Sequence, residues 1–225
     1  MISVPLLKVV CIIPAHNEES TISSVVRNAK TICNLVIVVD DGSTDRTVEE
    51  AIKAQAKVVS HIIRLGVGAA LSTGLRAASN HDAEIIVTLD ADEQHDPKEI
   101  PNVIGPIVDG KADLVIGSRI LEKNSEMPFQ KLIANKILSK LTSFASGIEI
   151  KDSQSGFRGM SRQVADSIKY DSTDYQWASE MIILLSKRGI RIVDVPIKTV
   201  YFKSRRRGAG FRDAIKILYN ILHPK

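Results

Sequence analysis

Five short apolar, β-rich runs, Val9–Ile13, Leu35–Val39, Val58–Ile63, Ile85–Leu89 and Leu114–Ile116, alternate with stretches of helical periodicity over Ser20–Ala29, Asp45–Ala54, Val67–Ala78 and Pro97–Val108. Alternation of this kind points to a mostly parallel sheet crossed by helices. The runs are nearly continuous in Val, Ile and Leu, as strands are when helices cover both faces of a sheet. The expected class is therefore α/β. After Ser118 the pattern loosens: helices are expected over Phe129–Ala145, Ser161–Ile168 and Trp177–Lys187, a short extended piece over Gly156–Met160, and one long or two short strands within Ile190–Tyr201. A last helix, Phe211–Leu222, places Phe211, Ile215, Leu218 and Leu222 at helical spacing.

At 225 residues with 44% apolar content the chain has enough material for one large core. The two cysteines, Cys11 and Cys33, lie in or near apolar runs and read as buried, reduced thiols. Neither a secretory leader nor a bilayer-length apolar run is visible, so the expected location is the cytoplasm, with peripheral contact at the inner face of the membrane. The net charge of +4 is uneven: Lys187–Lys225 carries eleven Lys/Arg against two acids, a net +9, which leaves −5 on the remainder. A basic carboxyl-terminal segment on an acidic body suits a polyanionic partner. Aromatic content of 4% and the lack of a nucleic-acid motif argue against nucleic acid as that partner.

The chemistry concentrates where strands end. Asp90 and Asp92 follow Ile85–Leu89, two residues apart, so both are delivered to the carboxyl edge of the sheet, where open α/β sheets bind ligands. Two hard oxygen donors there suit Mg²⁺ or Mn²⁺, which in turn holds substrate phosphates. The first strand leads into Pro14-Ala15-His16-Asn17-Glu18-Glu19, with Pro14 expected to end its ladder and Glu18 at the turn into a helix. The second leads into Asp40-Asp41-Gly42-Ser43-Thr44. Adjacent Asp40 and Asp41 point to opposite sides, and Asp41 is the candidate for the nucleoside; Ser43 or Thr44 is the candidate helix cap. Leu65–Ala70 resembles a phosphate-binding glycine loop, but it lacks the third glycine and a clearly placed acidic ribose partner; close helix–sheet packing explains it equally well. No Walker A sequence and no His-x-x-x-His spacing occurs. Arg119 follows the fifth strand and can hold a phosphate bidentately; Lys131 and Arg205, Arg206 and Arg207 offer further positive charge. Asp152, in Asp152–Arg158, is either a general base or an acid that shapes its loop, and His95 either touches a metal or is a solvated residue at a helix start.

Taken in order, PAHNEE, VVDDGSTDRT, LGVGAAL, LDADEQHDP, IGSR, DSQSGFRGMSR and GIRIVDVPI, from about Val9 to Ile197, resemble the inverting glycosyltransferases of family 2. Among them they are most similar to the dolichyl- and polyprenyl-phosphate sugar transferases. The resemblance implies a GT-A-type, Rossmann-like three-layer sandwich over residues 1–202. A nucleotide-sugar-binding half (1–117) and an acceptor half (118–202) would be followed by a basic loop and amphipathic helix (203–225). It implies Mg²⁺ or Mn²⁺ bound at Asp92, with Asp90 and Gln94 beside it. The donor, linked to GDP or UDP, would be contacted by Pro14, His16, Glu18, Asp41, Asp90, Ala91 and Gln94. Arg119 and Lys131 match positions where that family places basic residues for phosphate groups, and with the charge of Arg205, Arg206 and Arg207 they are the candidates for the phosphate of a polyprenyl or dolichyl acceptor. The catalytic candidates are Asp92, Arg119 and Asp152. Two departures bear on acceptor and sugar: Gly208–Phe211 replaces a Gly-x-Ser-Lys segment, and Gln176 stands where a mannosyl enzyme can carry Lys.

The expected reaction is inverting transfer of a hexose, from a GDP-mannose or UDP-glucose type of donor, to a polyprenyl phosphate. A lipid phosphate, largely dianionic at neutral pH because its second pKa is about 6, needs no strong base. A saccharide or other hydroxyl acceptor does need one, and Asp152 is then the candidate.

Overall fold

The computed structural model describes residues 7–121, 127–168 and 177–200. They form one seven-stranded sheet, β1 (Val9–Ala15), β2 (Leu35–Asp40), β3 (Lys57–Ser60), β4 (Ile85–Thr88), β5 (Leu114–Ser118), β6 (Arg158–Ser161) and β7 (Ile192–Pro196), in the order β3-β2-β1-β4-β6-β5-β7. All neighbours are parallel except β6, which runs antiparallel to both β4 and β5. The mostly parallel α/β sheet expected from the alternation is present.

Successive residues of the central strands feed opposite cores. Val9, Cys11 and Ile13 pack with α1 (Ile22–Lys30), α2 (Thr47–Lys53) and α4 (Ile100–Val108) on one face. Val10 and Ile12 pack with α3 (Val67–Ser79), α6 (Arg162–Ser167) and α7 (Trp177–Lys187) on the other. That two-sided burial is why the strand sequences show no polar alternation. Gly74 of α3 lets the helix sit directly on β1: a β-carbon there would lie 2.3 Å from Ile12. Cys11 and Cys33 are buried and free.

Several boundaries differ from expectation. Pro14 does not end the ladder: β1 continues through it, with Pro14 opposite Val39 and Ala15 opposite Asp40. The strand expected over Val58–Ile63 stops at Ser60, because β2, its only neighbour, ends at Asp40; Ile62 and Ile63 are exposed. Pro97–Val108 is a 3₁₀ turn (Pro97–Glu99) followed by α4. Asp96 caps the turn, accepting from the Lys98 amide at 3.0 Å. Neither Ser43 nor Thr44 caps α2: Arg46 stands at the N-cap with no side-chain cap bond, and Asp45, one residue before it, accepts from the Thr47 amide at 2.9 Å. Gly156–Met160 supplies β6 from Arg158 onward, and Ile190–Tyr201 supplies β7 plus an isolated bridge between Thr199 and His95. Phe211–Leu222, Arg205–Arg207, Gly208–Phe211 and Gln176 lie outside the described residues. No described helix is long and apolar enough to cross a membrane.

Candidate active site

Because β1, β2, β4 and β5 run parallel, their carboxyl ends lie along one edge of the sheet, and the acidic and basic motifs that follow these strands lie there. Two loops are stitched together first. The Asn17 amide donates to Ser43 Oγ (2.9 Å), the Thr44 amide to Asn17 Oδ1 (2.9 Å), and the Glu18 amide to Thr47 Oγ1 (2.7 Å). His16 Nδ1 donates to the Asp41 carbonyl at 2.9 Å. The β1–α1 and β2–α2 turns therefore form one wall.

That wall, the β4 end and α5 (Phe129–Ser146) enclose a cleft of about 350 Å³. Every site residue expected within the described part of the chain lines it, except Asp152: Pro14, His16, Glu18, Asp41, Asp90, Ala91, Asp92, Gln94, Arg119 and Lys131. Arg64, Asn135 and Gln154 also line it. Asn135 lies one helical turn beyond Lys131, so the i,i+4 rule would have found it. Gln154 sits inside a motif already singled out and Arg64 falls between the third apolar run and the glycine motif, with no periodicity to mark either.

Asp41 is satisfied by the protein. Its carboxylate accepts from the Leu65 and Gly66 amides (both 2.8 Å) and from His61 Nδ1 (2.9 Å). Burial works to raise its proton affinity, but these donors outweigh it and hold the carboxyl below its usual range. The Leu65 and Gly66 amides are thus committed to Asp41 and are not available to a phosphate.

Asp90 and Asp92 show the opposite balance. Asp90 sits on the cleft floor with 41% of its side chain open, and burial raises it against the pull of Arg119, Lys131 and Arg158. Burial raises Asp92 too, and the Asp90 charge adds to it. The Gln94 amide N–H (3.1 Å) and side-chain Nε2 both bond Asp92. Asp90 packs flat against Gly156, where a β-carbon would come within 2.3 Å of Oδ1. Thr88 Oγ1 donates to the Gly156 carbonyl (2.7 Å) and fixes that approach.

Two crowded carboxylates that resist ionisation are a donor set that a divalent cation would relieve, and their hard oxygens suit Mg²⁺ or Mn²⁺. Among the described residues no group of three or more His, Cys, Asp or Glu encloses an ion.

Asp152 has no exposed surface. Arg119 grips it with Nε (2.7 Å), Nη2 (2.8 Å) and its own backbone amide (3.0 Å). Burial raises its proton affinity, but Arg119 more than offsets this and the carboxyl is held low. An acid placed so cannot reach a substrate hydroxyl; of the two readings, geometry supports the one in which it shapes its surroundings. His95 is buried, not solvated. Its ring tilts against Phe157 at 5.5 Å, Nδ1 lies 3.4 Å from Asp90 Oδ2, and neither ring nitrogen makes a hydrogen bond among the described residues. Burial, helped by the Arg119 charge, pushes its pKa down to about 3, so it is neutral. Lys131 is lowered by burial and by Arg119, with Asp92, Asp90 and Asp152 opposing.

A model of the Glycosyl transferase family 2 domain matches residues 10–169. The chain belongs to glycosyl transferase family 2. It is a glycosyltransferase, and the resemblance carried by the motifs is borne out. An uncharacterised protein of Methanocaldococcus jannaschii is 40% identical over 95% of this chain and 90% of its own length. The UDP-N-acetylglucosamine–dolichyl-phosphate N-acetylglucosaminyltransferase of Methanococcus voltae is 36% identical over 94% of this chain and 93% of its own. Among solved structures, glucosyl-3-phosphoglycerate synthase of Mycobacterium tuberculosis, in complex with Mn²⁺, UDP-glucose and glycerol 3-phosphate, superposes on the glycosyltransferase with a TM-score of 0.73. It is 25% identical, over 96% of this chain and 80% of that one.

Proposed function

We propose that this glycosyltransferase moves a hexose from a nucleotide sugar to a polyprenyl or dolichyl phosphate, with inversion at the anomeric carbon. The observation that carries the reading is the single cleft in which Asp90 and Asp92 face Arg119 and Lys131. One pair suits a cation bridging the donor diphosphate; the other suits an incoming phosphate. The Methanococcus voltae relative, named for a dolichyl-phosphate acceptor and a UDP-linked donor, supports the same assignment and favours uridine over guanine.

Asp90, Asp92 and Gln94 would hold the Mg²⁺ or Mn²⁺. When bound, the ion neutralises charge on the departing diphosphate. Pro14, His16, Glu18 and Asp41 contact the nucleoside, and Ala91 packs beneath it. Arg119, fixed by Asp152, presents a rigid cation to the acceptor phosphate, and Lys131 and Asn135 supply donors from α5. No base is required, because the acceptor arrives already ionised. That agrees with Asp152 being spent on Arg119 and weighs against a hydroxyl acceptor. Positioning and charge stabilisation then supply the rate. The reaction takes place at the inner face of the membrane, where the acceptor phosphate is presented.

The test is transfer from UDP- and GDP-linked sugars, with Mn²⁺, to a prenyl phosphate and to free saccharides in parallel. Turnover confined to the prenyl phosphate supports the reading; turnover confined to hydroxyl acceptors overturns it.

A further inference from the structure

Helix α5 is built inside out. Its buried residues are Asn135, Leu138, Ser139 and Thr142, three of the four polar, and the two hydroxyls and Asn135 are held by internal bonds. Its outer face carries Phe129 (74% exposed), Ile133 (42%), Ile137 (54%) and Phe144 (90%). At 100° per residue these four fall within an arc of about 80°. By the same rule Lys136 lies on one margin of that face, Lys140 within it and Gln130 on the other margin, and the helix contains no Asp or Glu. Burying polar groups while exposing two Phe and two Ile inverts the usual arrangement of a helix on a soluble domain. Large apolar side chains on one face, accompanied by lysines and by no acid, are instead the pattern of a helix that lies in a lipid headgroup region.

Position on the fold strengthens the point. Lys131 and Asn135, which line the cleft, sit on the opposite side of the same helix, so a wall about 10 Å thick separates the stripe from the site. Beyond the described residues the sequence adds Arg205, Arg206 and Arg207 to a segment of net +9, of the same sign as the helix.

We propose that the outward face of α5 is a docking surface for an anionic lipid bilayer, sinking Phe129, Ile133, Ile137 and Phe144 into the interface while Lys136 and Lys140 meet lipid phosphates. The proposal deepens the lipid-phosphate reading above and rests on it for its purpose. It gives the acceptor a short route: the headgroup steps around the first turn of α5, from the bilayer on one side to Lys131 on the other.

The experiment is flotation of the full chain with phosphatidylcholine vesicles, with and without phosphatidylglycerol. It compares the natural protein with a Phe129→Gln/Ile133→Gln/Ile137→Gln/Phe144→Gln variant, Gln being a sound helix former. The expected result is binding to phosphatidylglycerol vesicles that weakens with salt and drops at least about tenfold in the variant. The variant should keep the natural thermal shift with UDP and Mn²⁺, and natural turnover on a short, water-soluble prenyl phosphate. Unchanged flotation in the variant overturns the proposal, as does loss confined to a companion Arg205→Ala/Arg206→Ala/Arg207→Ala variant. So does a natural protein that ignores vesicles but is a dimer the stripe variant converts to monomer by light scattering. Failure of the natural protein on the soluble prenyl phosphate would instead sink the proposed function, while flotation still reads the surface.

Discussion

Asp41 and Asp152 differ from Asp90 and Asp92 in what the protein has given them. Asp41 has two backbone amides and a histidine, Asp152 has Arg119, and both are held as anions. Asp90 and Asp92, beside the same cleft, are raised by burial, and Asp92 further by the charge of its neighbour. Acids that the fold holds as anions are therefore separated from acids whose ionisation burial opposes. That opposition is the functional signal: a carboxylate pair kept hard to ionise leaves the fold less stable than it could be, a common cost of a site that awaits a ligand.

The sharpest way to break this contrast is Asp92→Asn. Transfer should fall about a thousandfold if the cation acts there, and the thermal shift given by Mn²⁺ with nucleotide should vanish. The metal-free midpoint should hold or rise, since a carboxyl raised in the folded state costs stability once ionised. A midpoint that drops would place Asp92 with the architectural acids.

Asp152→Asn should do the reverse. Removing one charge of a buried pair costs about 3–5 kcal/mol, read by denaturant unfolding, and turnover should fall because Arg119 loses its anchor. The sign with pH follows from the lowered carboxyl: the stabilisation is present above the unfolded value and is lost as pH falls through the folded one. The variant's deficit should therefore shrink in acid.

Gly156→Ala probes the contrast from the side of shape. The added methyl has no room beside Asp90, and a displacement of about 1 Å at the ion site is worth up to about 100-fold in turnover. Weakened Mn²⁺-dependent nucleotide binding, with circular dichroism unchanged, is the expected pair of readings.

The smallest effect concerns Asp194 on β7. Its Oδ2 accepts from the Lys151 amide at 3.1 Å, its Oδ1 is buried without a hydrogen bond among the described residues, and burial raises its pKa to about 6. Asp194→Asn should raise the melting midpoint by roughly 2–4 °C at pH 8. A raised carboxyl costs stability only when ionised, so the gain should fade between pH 6 and the unfolded value near about 4.

Much of this contrast was legible in the sequence, and the gaps have physical causes. The strand–helix alternation fixed the class, and Asp90-Ala91-Asp92 after an apolar run placed the pair at the sheet edge. What stayed hidden depended on neighbours distant in sequence. β6 is four residues long with a glycine inside, too short to show periodicity, and its antiparallel place between β4 and β5 has no local signature. Asp152 reads equally as base or brace until Arg119, 33 residues away, is seen to hold it. His95 follows charged and polar residues, which suggests solvent, yet the crossing of Phe157 buries it.

The insertion of β6 also has a consequence in time. During synthesis β4 and β5 emerge with facing edges unpaired, and the strand that joins them is made about forty residues after β5. At roughly 5–20 residues per second, that leaves two apolar, bond-hungry strand edges open for seconds on every nascent chain. The ribosome-bound half-molecule is thus the species most exposed to mispairing, and a chaperone would find it before the finished enzyme exists.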